Sequence, residues 1–152
     1  MLSKVITYTD YDGHQRSETF YFNLSKAELY ELEATTPGGM EKYIKRMTEE
    51  EDREMLFNFF KKIITMSFGK KSLDGNRFVK KENGVRLVDE FMETEAYTVL
   101  LEELLGSAEG AANFVNAIIP HDLSENQIKN GNNVVVMEHS NNVANSATNA
   151  TT

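Results

Sequence analysis

Between Met55 and Phe68 the sequence sets Met55, Leu56, Phe59, Phe60, Ile63, Ile64 and Phe68 at i, i+3, i+4 spacing. A stripe of that width belongs to an amphipathic helix, the longest in the chain, and Phe57 and Met66 widen it further. At ~1.5–3 kcal/mol per large buried side chain, the stripe offers on the order of 10–20 kcal/mol before entropy is subtracted. A helix with so broad an apolar face needs neighbours on several sides, which places it at the centre of the fold. Thr48-Glu49-Glu50-Glu51 reads as the capping box that opens it, with its acids against the positive helix end. Gly69 reads as its C-cap.

The rest of the folded part is expected to cover that helix. Residues 4–22 read as a β-hairpin: Val5–Thr9 and Thr19–Phe22 are β-branched and aromatic, and Asp10-Tyr11-Asp12-Gly13 supplies the turn. Ile6 with Tyr8, and Phe20 with Phe22, fall on shared strand faces that need a helical cover. Ser25-Lys26-Ala27-Glu28 is a capping box, with Leu24 and Leu29 at the positions of a hydrophobic staple, for a helix reaching about Ala34. Thr36-Pro37 is expected to cap a second helix, with proline in its first turn and Met40, Tyr43, Ile44 and Met47 on its apolar side. Residues 70–84 are polar, anchored only by Phe78-Val79, and read as a loop or a small packed excursion. Helices follow over about 84–93 (Val85, Val88, Phe91, Met92), from Thr94 to Gly106 (Ala96, Tyr97, Leu100, Leu101, Leu104, Leu105), and from Ser107 to Pro120 (Ala111, Phe114, Val115, Ile118).

The fold class is therefore α+β and predominantly helical: an N-terminal hairpin packed on a bundle of about five to six helices. Residues 1–122 form the folded domain. Residues 123–152 read as a disordered tail, because eight asparagines between Asn126 and Asn149, amid Ser, Thr and Ala, leave little apolar surface to offset ordering entropy. Val134-Val135-Val136-Met137 is the exception, a compact apolar run that reads either as a chance cluster in a disordered terminus or as a short motif adding a strand to a partner's sheet edge.

Composition narrows the function. With no cysteine, disulfides and thiolate metal sites are excluded. Neither a signal peptide nor a run of ~20 apolar residues is found, which points to a cytosolic protein without a membrane partner. The net charge of −8 speaks against nucleic-acid binding through a basic surface. Basic residues such as Lys42, Lys45, Arg46, Lys61 and Lys62 interrupt the acids, so solubility explains the acidity better than mimicry of DNA.

Catalytic and metal chemistry find no foothold. His14, His121 and His139 lie in a turn, a helix exit and the tail, none with a second histidine beside it. Asp10-Tyr11-Asp12-Gly13 opens like a calcium loop, but the later ligand positions are out of register. Gly69-Lys70-Lys71-Ser72 lacks the upstream glycine and strand of a phosphate loop. The acids from Glu49 to Glu54 are most simply a helix cap and solvated face. The expectation is a non-enzymatic protein with no cofactor, no metal site and no catalytic residue.

Several segments resemble one family. They are Val5-Ile-Thr-Tyr-Thr-Asp-Tyr-Asp-Gly13, Glu18-Thr-Phe-Tyr-Phe-Asn-Leu-Ser-Lys-Ala-Glu-Leu29, Thr36-Pro-Gly-Gly-Met-Glu-Lys-Tyr-Ile44, Thr94-Glu-Ala-Tyr97 and Ala112-Asn-Phe-Val-Asn-Ala-Ile-Ile-Pro-His-Asp-Leu123. Together they are similar to the tail assembly chaperones of long-tailed, siphovirus-like bacteriophages and prophages. The resemblance covers roughly residues 1–123 and stops before Ser124. It implies a protein of the host cytoplasm, absent from the mature virion, that binds and solubilises the helical tape-measure protein and helps recruit tail-tube subunits. It identifies no active site, and homo-oligomerisation stays open. The residues put forward for partner contact are Tyr21, Val134, Val135, Val136 and Met137. The competing readings are an acidic DNA-mimic inhibitor and a minor structural virion protein.

Overall fold

A computed structural model describes residues 1–120. The chain begins with a long hairpin, β1 (Leu2–Thr9) and β2 (Gln15–Phe22), continues through α1 (Lys26–Thr35), α2 (Gly39–Glu49) and α3 (Arg53–Ser67), and returns to the sheet as β3 (Phe68–Lys71) and β4 (Phe78–Val79). A small ribbon of β5 (Lys81–Glu82) and β6 (Val85–Arg86) leads into α4 (Leu87–Met92), α5 (Glu95–Gly106) and α6 (Ala108–Ile118). The main sheet is antiparallel in the order β1-β2-β3-β4. The α+β, mainly helical architecture and the hairpin on a helical bundle are as the sequence led us to expect.

Alternation in the hairpin decides which side is covered. In the register Leu2↔Phe22, Lys4↔Phe20, Ile6↔Glu18, the even residues share one face, and Ile6 and Phe22 are buried there. α5 and α6 pack on β1, and α4 on β3. Phe22 stands edge-on to Phe68, Phe91 and Phe114, while Phe68 and Phe91 stack with centroids 4.4 Å apart. Such aromatic pairs add ~0.5–1.5 kcal/mol each beyond the area they bury. The hairpin is further tied by Leu24 N–H donating to the Ile118 carbonyl (2.8 Å) and by Lys4 Nζ donating to Glu103 (2.8 Å).

The long helix is central, with Met55, Phe59, Phe60, Ile63 and Ile64 buried. Its ends differ from the sequence reading. Thr48 lies within α2, which runs on to Glu49 so that the turn carrying buried Met47 closes. α3 is capped instead by Asp52, whose carboxylate accepts from Met55 N–H at 3.0 Å. Phe57 points outward rather than widening the stripe. At the other end Phe68 has already left the helix with extended backbone, and Gly69 is a strand residue, not a left-handed cap. Glycine is needed at 69 for space: a Cβ there would lie 2.5 Å from the Val79 carbonyl oxygen and 2.6 Å from the Phe78 ring.

Two further corrections concern helix starts. Thr36 closes α1 rather than opening α2: its hydroxyl donates to the Leu32 carbonyl at 2.6 Å. Pro37 precedes α2, which is entered through Gly38 in the left-handed region without a side-chain cap. Residues 70–84, read as a loop or a small packed excursion, form the excursion, with strands because β3 needs a partner and β4 provides it. The helix expected from residue 84 starts at Leu87, since Val85 pairs with Glu82 in the small ribbon and is exposed. Leu105 likewise ends up exposed at the close of α5. Lys80 fastens the excursion, donating to Glu28 (2.6 Å) on α1 and to the Met66 carbonyl on α3. Among the described residues no helix is long and apolar enough to cross a membrane.

Candidate functional site

Tyr21 lies on the opposite side of the sheet from the core. Its Cα partners are Ser3 on β1 and Gly69 on β3, and its side chain is half-buried. The odd residues of the hairpin share this outer face: Ser3, Val5, Thr7 and Thr9 opposite Tyr21, Thr19, Ser17 and Gln15. None carries a charge, and Thr7 and Ser17 join hydroxyls at 3.1 Å across the ribbon. Every charged side chain of the two strands, Lys4, Arg16 and Glu18, is on the inner face: Lys4 meets Glu103 of α5, while Arg16 and Glu18 lie near Tyr8, whose hydroxyl donates to Glu18. That hydrogen bond raises the Tyr8 hydroxyl above its usual value, with burial adding to it. The remaining residues put forward for partner contact, Val134, Val135, Val136 and Met137, lie outside the described residues, as do His121 and His139.

At the hairpin tip, Asp10, Asp12 and His14 bring ligand-type atoms within 4.8 Å of one another, a cluster not foreseen when His14 was read alone. Asp10 is already engaged by the turn. Its carboxylate accepts from the N–H groups of Asp12 (3.0 Å) and His14 (2.9 Å) and from Arg16 Nε (2.6 Å). The Arg16 bond, then the His14 N–H, hold the Asp10 carboxyl below its usual range. The resident cation is a guanidinium, and the geometry is that of a closed turn with Gly13 at φ +83°.

A third surface forms where α1, α2 and α3 meet. Tyr43 and Pro37 separate two adjoining clefts, of about 320 and 210 Å³. The first runs along α2 past Lys42 and Arg46; the second is floored by Leu32, Met40 and Phe59 and bordered by Lys62. The Tyr43 ring leans on Phe59, centroids 6.2 Å apart. The sequence reading placed Tyr43 and Met40 simply on an apolar stripe. The signal for something more was the run of bases Lys42, Lys45 and Arg46 alternating with that stripe.

Some acids elsewhere on the surface are paired. Lys45–Glu49, Arg46–Glu50, Lys70–Glu82 and Arg86–Asp89 are ion pairs of mixed sign. Such exposed pairs contribute at most ~1 kcal/mol each.

The chain matches the family described as phage tail assembly chaperone over residues 1–152. No curated protein and no solved structure matches it. The protein belongs to the phage tail assembly chaperone family, and its role is that of a chaperone in tail assembly. The match continues past residue 123, where the resemblance read from the residues stops, so the asparagine-rich segment lies within the family's span.

Proposed function

We propose that this protein is a non-enzymatic chaperone that binds the tape-measure protein, keeps it soluble in the host cytoplasm, helps recruit tail-tube subunits, and is left out of the finished virion. The observation that carries this reading is the family match along the whole chain. Residues 1–122 act as the folded holder and residues 123–152 as an appended segment, in which Val134, Val135, Val136 and Met137 supply a short strand-forming contact. Tyr21 contributes from the uncharged outer face of the hairpin, where a partner can approach without desolvating a charge.

Co-expression tests it directly. The tape-measure protein of the same phage or prophage should move from the pellet to the soluble fraction when the full chain is present, and be retained with it on affinity resin. An unchanged pellet would overturn the reading. Mass spectrometry of purified particles should find the tube and tape-measure proteins and lack this one.

A further inference from the structure

The chain carries 24 acidic residues against 16 basic ones, yet among the described residues no carboxylate lines either cleft beside Tyr43. The charged side chains at their borders are Lys42, Arg46 and Lys62. Arg46 is partly answered by Glu50, 3.9 Å away and exposed. Glu33 of α1 accepts from the Met40 N–H at 3.0 Å and lines neither cleft. Lys42 and Lys62 make no ion pair among the described residues, and both are exposed. The apolar floor of Leu32, Met40 and Phe59 thus meets one unpaired cation, Lys62, and the adjoining cleft, which shares Tyr43 and Pro37, meets another, Lys42, on a protein whose net charge is −8.

The size of the clefts restricts what fits. Each is at or below the lower end of a small-molecule pocket, ~300–1,000 Å³, whereas two hollows that share Tyr43 and Pro37 suit successive anchor side chains of a docked helix. We propose that the Tyr43 cleft docks an amphipathic helix of a partner protein whose apolar stripe is bordered by aspartate and glutamate. One turn of that stripe fills the hollow by Leu32 and Phe59, the next fills the hollow by Gly38 and Arg46, and the bordering carboxylates meet Lys42 and Lys62. The proposal deepens the function given above and rests on it, since the tape-measure protein is the helical partner that reading supplies.

The test uses the full chain and two synthetic helical peptides sharing one leucine stripe, bordered by glutamate in one and lysine in the other. The overall charge of −8 favours the lysine peptide at long range, so a preference for the glutamate peptide isolates the cleft. Fluorescence anisotropy should show the glutamate peptide binding at least about tenfold more tightly, and K42E with K62E should remove or invert that preference. Circular dichroism matching the parent chain verifies the fold of the double variant; if it does not match, K42Q with K62Q gives the same reading without reversal. Equal affinity for the two peptides, or unchanged affinity in the variants, overturns the proposal. So does a parent chain that sediments as a dimer and a double variant that sediments as a monomer, because the occupant would then be a second copy. Co-expression with the tape-measure protein separates the two levels. If the parent chain solubilises it and the double variant does so equally well, the cleft is wrong and the function stands; if the parent chain fails, the function itself is wrong.

Discussion

Two segments of this protein carry the same local message, Ser25-x-x-Glu28 and Thr48-x-x-Glu51, and only one becomes a helix cap. At the first, Ser25 Oγ accepts from Glu28 N–H (3.2 Å) and Glu28 Oε2 accepts from Ser25 N–H (2.8 Å). At the second, α2 runs straight through Thr48, Glu51 takes a left-handed backbone (φ 48°), and Asp52 opens the next helix. What separates them is the residue just before the motif. Leu24 is 1% exposed and held by Ile118, outside any helix, so the chain must turn into α1 right after it. Met47 is buried as part of the apolar side of α2, and burying it requires the helix to continue past it. A capping motif thus works where tertiary packing has already ended the preceding element, and is overrun where packing extends it.

The contrast can be broken most forcefully at its anchor. Leu24→Ala should cost about 2–5 kcal/mol in urea unfolding, because it empties a fully buried site as well as loosening the start of α1. Next come the caps themselves. Ser25→Ala and Asp52→Ala should each cost about 0.5–2 kcal/mol, whereas Thr48→Ala should fall within about 0.5 kcal/mol of the parent, alanine being the better helix former. A Thr48→Ala loss as large as that of Ser25→Ala would restore the second box. Glu51→Gly sharpens the same point with a change of sign: relief of the left-handed backbone should raise stability by about 0.5–1 kcal/mol, where a capping glutamate would show a loss.

The smallest expected effect is at the hairpin tip, a third local motif. Because the Asp10 carboxyl titrates below its ordinary value of 3.8, its contribution is fully present above that value and is lost as pH falls through the lowered native one. The melting temperature of Asp10→Asn should therefore lie below that of the parent near neutrality, and the gap should close as the pH is taken below the ordinary carboxylate range. A gap that widened on acidification would show that the turn does not depend on the charged form.

Elements whose boundaries are set by their own residues were legible in the sequence. The hairpin, the Ser25 box and the Ser107 cap of α6, which accepts from Gly110 N–H at 3.0 Å, follow from local hydrogen bonding and alternation. Boundaries set by distant partners were not. Gly69 has the look of a helix stop, but the Val79 and Phe78 atoms that demand it arrive only when β4 folds back on β3. Val85 and Leu87 belong to one apolar run, and only the Glu82 pairing assigns the first of them to a ribbon. Of the surfaces, the alternation placing Tyr21 on an outer face could be read directly. The Tyr43 cleft could not, since it needs three helices, one of them starting two residues later than a cap at Thr36 suggests.

The aromatic side chains at the heart of the protein are far apart in order of synthesis. Phe20 and Phe22 are made early, while their cover, Phe91 and Phe114, follows some 70 to 90 residues later. At ~5–20 residues per second of translation, the hairpin waits on the order of several to twenty seconds with its inner face uncovered. A protein belonging to a family of assembly chaperones thus passes through its own interval of exposed apolar strand, and the uncharged outer side of that same ribbon leaves little charge repulsion to keep two nascent copies apart.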